Sequence, residues 1–138
     1  MPRLPLVQLD GVSVSLAGRR VLHELNWRWA PGESWAVLGA NGSGKTSLMR
    51  IAALYTHPSG GEVFVMNQRL GEMDVRSARR VVAYNSASFS AELRPQLCAY
   101  EVVMTAKNAA LETWWHSYDD ADRKRAVTCL EQLGVAHL

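Results

Sequence analysis

Two stretches near the start of the chain have strand-like patterns, and the second alternates between apolar and polar residues, as a strand with one buried face does. The first covers residues 6–14 and is rich in Val and Leu. The second covers residues 21–29, where leucines and tryptophans mix with polar side chains. Residues 17–20 (Ala-Gly-Arg-Arg) and the pair Pro31-Gly32 are turn signals. The pattern predicts two strands joined by a turn, and then a second turn.

An apolar run at residues 34–38 is followed by a helical pattern. The run (Ser-Trp-Ala-Val-Leu) has the composition of a short buried strand. Apolar side chains then recur at i, i+3, i+4 and i+7, the spacing of one helix face, at Leu48, Ile51, Ala52 and Tyr55. The segment therefore predicts a strand, a glycine-rich loop and a helix, in that order.

The remainder of the chain mixes short β-rich and helical patterns. Aspartate is a good helix N-cap and glycine a good C-cap, and both stand at the borders of the last helical pattern. After a loop at residues 57–61, the predicted elements are a strand at 62–66, a turn at 67–68, a short helix at 74–80, a second buried strand at 81–84, a helix at 98–110 and a helix that begins at Asp119 or Asp120 and ends at Gly134.

The glycine-rich loop carries the candidate chemistry. Residues 39–46 read Gly-Ala-Asn-Gly-Ser-Gly-Lys-Thr and fit the pattern G-x-x-x-x-G-K-[ST]. Its glycines permit positive φ, and amide groups at the start of the following helix can bind a phosphate. Lys45 is placed to reach the β- and γ-phosphates, and the Thr46 hydroxyl to bind Mg²⁺. An incidental glycine-rich turn is disfavoured, because strand, loop and helix is the context that the motif requires.

Composition excludes several classes of protein. With 138 residues, 48% of them hydrophobic and 20% charged, the chain suits one soluble globular domain. A net charge of +2 is too small to imply a nucleic-acid surface. No apolar stretch approaches the ~18 residues of a membrane span, and the N-terminus lacks a signal-peptide pattern. The two cysteines and four histidines have no metal-ligand spacing, so we expect a cytoplasmic protein without such a site.

The order of these phrases resembles the nucleotide-binding domain of ABC transporters. The loop is preceded by hairpin phrases at residues 9–15 and 20–22 and followed by His-Pro-Ser-Gly-Gly-Glu-Val at 57–63. Residues 93–95 and 100–106 are similar to the helical start in ATPases of metal-chelate and related importers. The resemblance covers nearly the whole chain. It implies an α/β P-loop NTPase fold of the ABC type, present in part, with an N-terminal antiparallel β subdomain.

The resemblance also implies a layout and a set of ligands. Within 1–138, residues 1–33 and 59–70 would form the β subdomain, 34–55 the P-loop strand and helix, and 81–138 the start of the helical subdomain. The ligands would be ATP and Mg²⁺, with Thr46 on the metal and Ser47 on the α-phosphate. The nucleotide-binding residues implied by the loop are Gly39, Ala40, Asn41, Gly42, Ser43, Gly44, Lys45, Thr46 and Ser47.

Two positions depart from the family's pattern. The family stacks adenine on an aromatic side chain near the end of the first strand, and the matching position is Leu16, with Val21 beside it. Leucine offers apolar contact without a stack, which lowers affinity or base selectivity by roughly 1 kcal/mol. The family's Q-loop glutamine follows the strand predicted at 81–84, where Ser86 or Ala87 stands. The usual route of coupling to membrane subunits lacks this glutamine.

The chain carries no candidate for the catalytic carboxylate. A hydrolysing P-loop enzyme needs one at the end of an apolar strand, to organise Mg²⁺ and water. Residues 63–66 lead into Asn67, and residues 81–83 lead into Tyr84 and Asn85. The family's signature sequence, catalytic Glu and switch His are also not among these residues. We therefore expect no catalytic residue within this chain, which resembles roughly the first half of the family's domain.

Two functional hypotheses follow from the resemblance. The first is a truncated ATP-binding subunit, an ATPase by family, that pairs with a second ATP-binding subunit and with transmembrane permease subunits. It would lie on the inner face of the cell membrane and power transport, and residues 100–106 favour import. The second is an inactive nucleotide-binding remnant of a degenerate or truncated gene. Because strands between the P-loop and Q-loop strands would come from outside this chain, we expect marginal stability or aggregation when it is isolated.

Overall fold

The computed structural model describes residues 4–137, apart from the side chains of residues 89 and 90. The chain divides into two compact units after residue 78. Its strands are β1 (Val7–Leu16), β2 (Arg19–Trp29), β3 (Gly60–Val65) and β4 (Gln68–Arg69), and its helices are α1 (Lys45–Ala52), α2 (Val75–Arg79), α3 (Ala99–Thr105) and α4 (Asp120–Gln132), with 3₁₀ turns at Phe89–Glu92 and Ala106–Asn108.

The first unit is built on an antiparallel sheet with strand order β2-β1-β3-β4. Val7 pairs with Trp29 on one side and with Val65 on the other. Ala17 and Gly18, both at positive φ, join β1 to β2, which is the geometry of a two-residue hairpin turn. The strands predicted at residues 6–14, 21–29 and 62–66 are thus confirmed, although β2 already begins within the predicted turn.

The core of this unit lies between the sheet and α1. Alternate residues of β1 and of the last part of β3 are buried, as in strands with one face on a core. Helix α1 buries one apolar face and contacts β2 and β3. The best-buried large side chains are those of Leu9, Val12, Val14, Ile51, Leu54 and Val63. Each such side chain contributes about 1.5–3 kcal/mol of burial free energy, so this core holds α1 and the loop before it against the sheet.

Residues 34–38 do not form the predicted strand. They belong to no helix and to no strand ladder, and the side chain of Leu38 is 90% exposed. A strand is stable only when its amide and carbonyl groups pair with a neighbour, and none of the described residues pairs with this run. The composition of the run was thus a poor guide, because it reports apolar character and not the presence of a partner.

A cluster of tryptophans joins β2 to the first part of that run. The rings of Trp27 and Trp29 stack at 6.2 Å between centroids, and Trp35 meets Trp27 edge-on at 5.8 Å. The Trp35 indole N–H donates to the Glu33 carboxylate at 3.0 Å, and so does the Ala30 amide. The Ala30 amide and then the Trp35 indole lower the pKa of the Glu33 carboxyl. These contacts fix the turn at residues 30–33 to β2.

The second unit contains the predicted helices of the C-terminal half. The Asp119 carboxylate accepts from the Asp122 amide at 2.8 Å and caps α4, so Asp119 is the cap among the two predicted candidates, Asp119 and Asp120. At the other end, the Gly134 amide donates to Glu131 O and the Val135 amide to Leu130 O, which is a Schellman motif with Gly134 at positive φ. The buried strand predicted at residues 81–84 is wrong, since this segment joins no sheet among the described residues and Val81 is 68% exposed.

Candidate functional site

The glycine-rich loop ends at the start of α1, where it leaves unbonded amide groups. Gly44 is the N-cap of α1, with φ 94°, a left-handed conformation that disfavours residues with a Cβ. Leu48 N–H donates to Gly44 O at 2.9 Å and makes the first i→i−4 bond of α1. The amides of Lys45, Thr46 and Ser47 therefore precede the helix's own ladder and are available to a ligand.

The first turn of α1 lacks the acidic side chains that would compete with a bound anion. The first turn of α1 has no Asp or Glu, and Gly44 has no side chain with which to cap the amides. Unbonded amides and the helix dipole together give this end a partial positive charge. By contrast, α4 has Asp119 as its cap and Asp120 and Asp122 in its first turn. These acidic side chains supply the negative charge and the hydrogen-bond acceptor that α1 lacks. The open N-terminus of α1 thus fits a phosphate.

The position of Gly44 is fixed by close contact with β2. A Cβ placed on this buried glycine would lie 2.7 Å from Leu22 Cδ2, 2.9 Å from Val21 O and 3.2 Å from Val21 Cγ1. Both side chains can reach the loop because β2 is irregular at this point. Val14 pairs with Leu22 while Ser15 pairs with Arg20, so Val21 is the extra residue of a β-bulge.

Lys45 bends back over the loop. Its Nζ donates to Gly39 O at 2.7 Å and to Ala40 O at 2.8 Å. The loop itself is closed by a turn in which Ser43 N–H donates to Ala40 O at 3.2 Å. An ammonium group has three N–H donors, so the two carbonyl oxygens leave one donor for a further acceptor. The charge of Lys45 is therefore held beside the open amides of α1.

Thr46 lies in the first turn of α1 with its side chain exposed. Its hydroxyl can supply one oxygen ligand to Mg²⁺, an ion that usually keeps several waters and takes other oxygens from phosphates. Among the residues that the structure describes, no group of three or more His, Cys, Asp and Glu side chains could hold a metal ion. A magnesium ion here would thus depend on the oxygens of its phosphate ligand.

The structure shows where the residues at the two positions that depart from the family pattern lie. Val21 contacts the loop directly through Gly44, whereas Leu16 lies at the end of β1 and is 50% exposed. Ser86 and Ala87 belong to the second unit, in the segment before Phe89–Glu92. Sequence reasoning missed Leu22 as a contact of the loop, because the bulge that turns it there has no sequence signal.

The sequence model of the ABC transporter family matches residues 22–138, which include this loop and most of the chain. The chain belongs to the ABC transporter family. This match confirms the resemblance drawn from the loop and the phrases around it. The family is one of P-loop ATPases. The question for residues 39–47 is therefore whether their geometry suits nucleotide binding.

Individual relatives agree with the family. An ABC transporter ATP-binding protein of Streptococcus mutans is 28% identical over 135 residues, which are 98% of this chain and 52% of the relative. The phosphonates import ATP-binding protein PhnC of Bdellovibrio bacteriovorus is 29% identical, over 96% of this chain and 53% of the relative. The chain therefore spans about half the length of these curated relatives.

A solved structure confirms the fold. A dimeric, post-hydrolysis state of the ATP-binding cassette MJ0796 with bound ADP and phosphate superposes with a TM-score of 0.70 at 26% identity, covering 91% of this chain and 56% of that one. The α/β ABC-type fold, present in part with its antiparallel sheet, is thus as predicted. Within the described residues, no helix has the length and apolar character needed to cross a membrane.

Proposed function

We propose that this chain is the nucleotide-binding part of an ABC transporter ATPase and holds Mg-ATP with residues 39–47. The observation that carries the proposal is the uncapped start of α1, where the amides of Lys45, Thr46 and Ser47 precede the first helical hydrogen bond. Lys45 would contact the β- and γ-phosphates, Ser47 the α-phosphate, and Thr46 the Mg²⁺ ion. The bound ATP supplies the free energy for transport.

We further propose that the site works in an assembly. The partners are a second ATP-binding subunit and transmembrane permease subunits, on the inner face of the cell membrane. Support comes from the dimeric state of the similar cassette and from the import protein among the relatives. Import as the direction of transport is proposed from residues 100–106 alone, since the relatives include both import and export proteins.

The residues of this chain bind and orient the nucleotide without cleaving it. No Asp or Glu follows an apolar strand after the loop, and β3 leads instead into Met66 and Asn67. Without a carboxylate to organise the attacking water, the phosphate loop alone supplies binding and charge neutralisation. We therefore expect the purified chain to bind Mg-ATP and to release no phosphate above the rate of a Lys45→Ala variant.

Calorimetric titration of the 138-residue chain with Mg-ATP tests the proposal, with Lys45→Ala and Lys124→Ala compared. Lys124 is an exposed lysine of α4, so its removal changes the net charge equally. Hydrogen bonds to charged groups are worth about 1.5–3 kcal/mol, which predicts a loss of about 10- to 150-fold for Lys45→Ala. Equal affinities of Lys45→Ala and the unaltered chain would rule out this site.

A further inference from the structure

Glu33 joins the end of β2 to the run of residues that leads into the phosphate loop. Its amide donates to Ala30 O at 3.2 Å and closes the turn at residues 30–33. Its carbonyl oxygen accepts from the Trp29 indole N–H at 2.9 Å. One of its carboxylate oxygens accepts from the Ala30 amide and from the Trp35 indole N–H, each at 3.0 Å. A single residue thus ties β2, the turn and Trp35 together.

The hydrogen bond from Glu33 orients Trp35 against the end of β2. The Trp35 ring meets the Trp27 ring edge-on at 5.8 Å, and Trp27 in turn stacks on Trp29. Because the Trp35 side chain remains 55% exposed, burial alone gives it little hold, and the bond to the carboxylate adds direction to the ring contact. Gly39 follows only four residues later. The position of Trp35 therefore bears on where the phosphate loop begins.

The phosphate loop is connected to β2 at both of its ends. At the far end, the bulged part of β2 contacts the position of Gly44. Within the loop, Lys45 donates to carbonyl oxygens of the loop itself. At the near end, residues 34–38 join no sheet among the described residues. The link between Glu33 and Trp35 thus gives the near end an attachment that no strand ladder supplies.

We propose that Glu33 is a positioning residue for nucleotide binding, which acts through Trp35 to hold the near end of the phosphate loop in the shape that receives a phosphate. A loop that already has its bound shape loses less conformational entropy when the ligand arrives, and the affinity rises accordingly. The property that matters is the acceptor oxygen of Glu33 and not its charge. The inference rests on the proposed function, because it requires that residues 39–47 hold the phosphates.

The test is a calorimetric titration of the full chain and four variants with Mg-ATP and with magnesium tripolyphosphate. Glu33→Ala removes the acceptor, whereas Glu33→Gln keeps an acceptor oxygen and removes the charge. Trp35→Phe keeps an aromatic ring and removes the indole donor. Asp119→Ala is the matched control, since it removes a carboxylate acceptor at the cap of α4, in the second unit. Far-UV circular dichroism shows whether each variant is folded, and near-UV circular dichroism reports the packing of the tryptophans.

We expect Glu33→Ala to weaken Mg-ATP about fivefold and Trp35→Phe about threefold. Magnesium tripolyphosphate should weaken by the same factors, because the effect lies on the phosphate loop and not on the base. Glu33→Gln and Asp119→Ala should bind both ligands within about twofold of the unaltered chain. The near-UV spectrum should change in Glu33→Ala and return in Glu33→Gln, which a general loss of stability would not produce.

Unchanged affinity in folded Glu33→Ala would overturn the inference, and so would a loss in Glu33→Gln or Asp119→Ala as large as in Glu33→Ala. If Glu33→Ala does not fold, Trp35→Phe decides, and an unchanged affinity of that variant would also overturn the inference. These outcomes leave the proposed function intact as long as Lys45→Ala weakens Mg-ATP. Equal binding by Lys45→Ala and the unaltered chain would instead refute the proposed function, and this inference with it.

Discussion

Replacing Gly44 by alanine should damage the loop through two separate effects. The first is conformational, since an L-residue in the left-handed region costs about 1–2 kcal/mol and Gly44 has φ 94°. The second is steric, because the new Cβ would lie 2.7 Å from Leu22 Cδ2 and 2.9 Å from the Val21 carbonyl oxygen. Overpacking of this kind costs about 1–3 kcal/mol, and the backbone carbonyl cannot turn away as a side chain can. The total is about 2–5 kcal/mol.

Gly42→Ala is the matched control for this prediction. Gly42 has φ 81°, but no atom lies within 4 Å of the Cβ that alanine would add. Only the conformational cost of about 1–2 kcal/mol then applies. Urea unfolding followed by far-UV circular dichroism measures both variants, and calorimetry measures their affinity for Mg-ATP. If Gly44→Ala were no less stable than Gly42→Ala, the close contact between the loop and β2 would not exist.

Three further predictions concern the rest of the fold. Gly61→Ala should destabilise the sheet by about 3 kcal/mol or more in urea unfolding, because Gly61 has φ 83° and an added Cβ would lie 2.6 Å from Asp10 O. A smaller loss would contradict the geometry of the β1–β3 pair. Asp119→Ala should cost about 1 kcal/mol of α4 stability, since it removes the cap, and an unchanged unfolding midpoint would refute the cap. The Lys107 ammonium and then the Asp119 amide lower the pKa of the Asp122 carboxyl. The contribution of Asp122 to the stability of the fold is therefore complete above the unfolded pKa of about 3.9 and is lost as pH falls through the native pKa. Acid unfolding followed by circular dichroism should be shallower in Asp122→Asn, and identical curves would exclude this contribution.

Local signals in the sequence predicted local structure well. The hairpin followed from the two strand-like patterns and the turn signal at residues 17–20, and α1 followed from its apolar spacing. An aspartate cap at Asp119 or Asp120 and a C-terminal cap at Gly134 were also predicted, because capping depends on residues within one helical turn. The fold class came from the loop motif and the order of phrases, and the family match confirmed it.

Features that depend on distant pairing were not predictable. Residues 34–38 and 81–84 have the composition of buried strands, yet neither joins a sheet in the described structure. Composition reports what a strand needs on its faces, whereas pairing depends on another segment being present alongside. The bulge at Val21 was missed for a related reason. It is a mismatch between two strands, and it brings both Val21 and Leu22 to Gly44.

The most direct test of a phosphate site at the start of α1 is an amide NMR titration of the ¹⁵N-labelled chain with Mg-ATP. Bound phosphate oxygens accept from the amides of residues 42–47, so those resonances should shift in a saturable way, while amides of α4 should stay unchanged. Magnesium tripolyphosphate should shift the same loop amides. Resonances of Lys45, Thr46 and Ser47 that stay in place at saturating Mg-ATP would contradict the account.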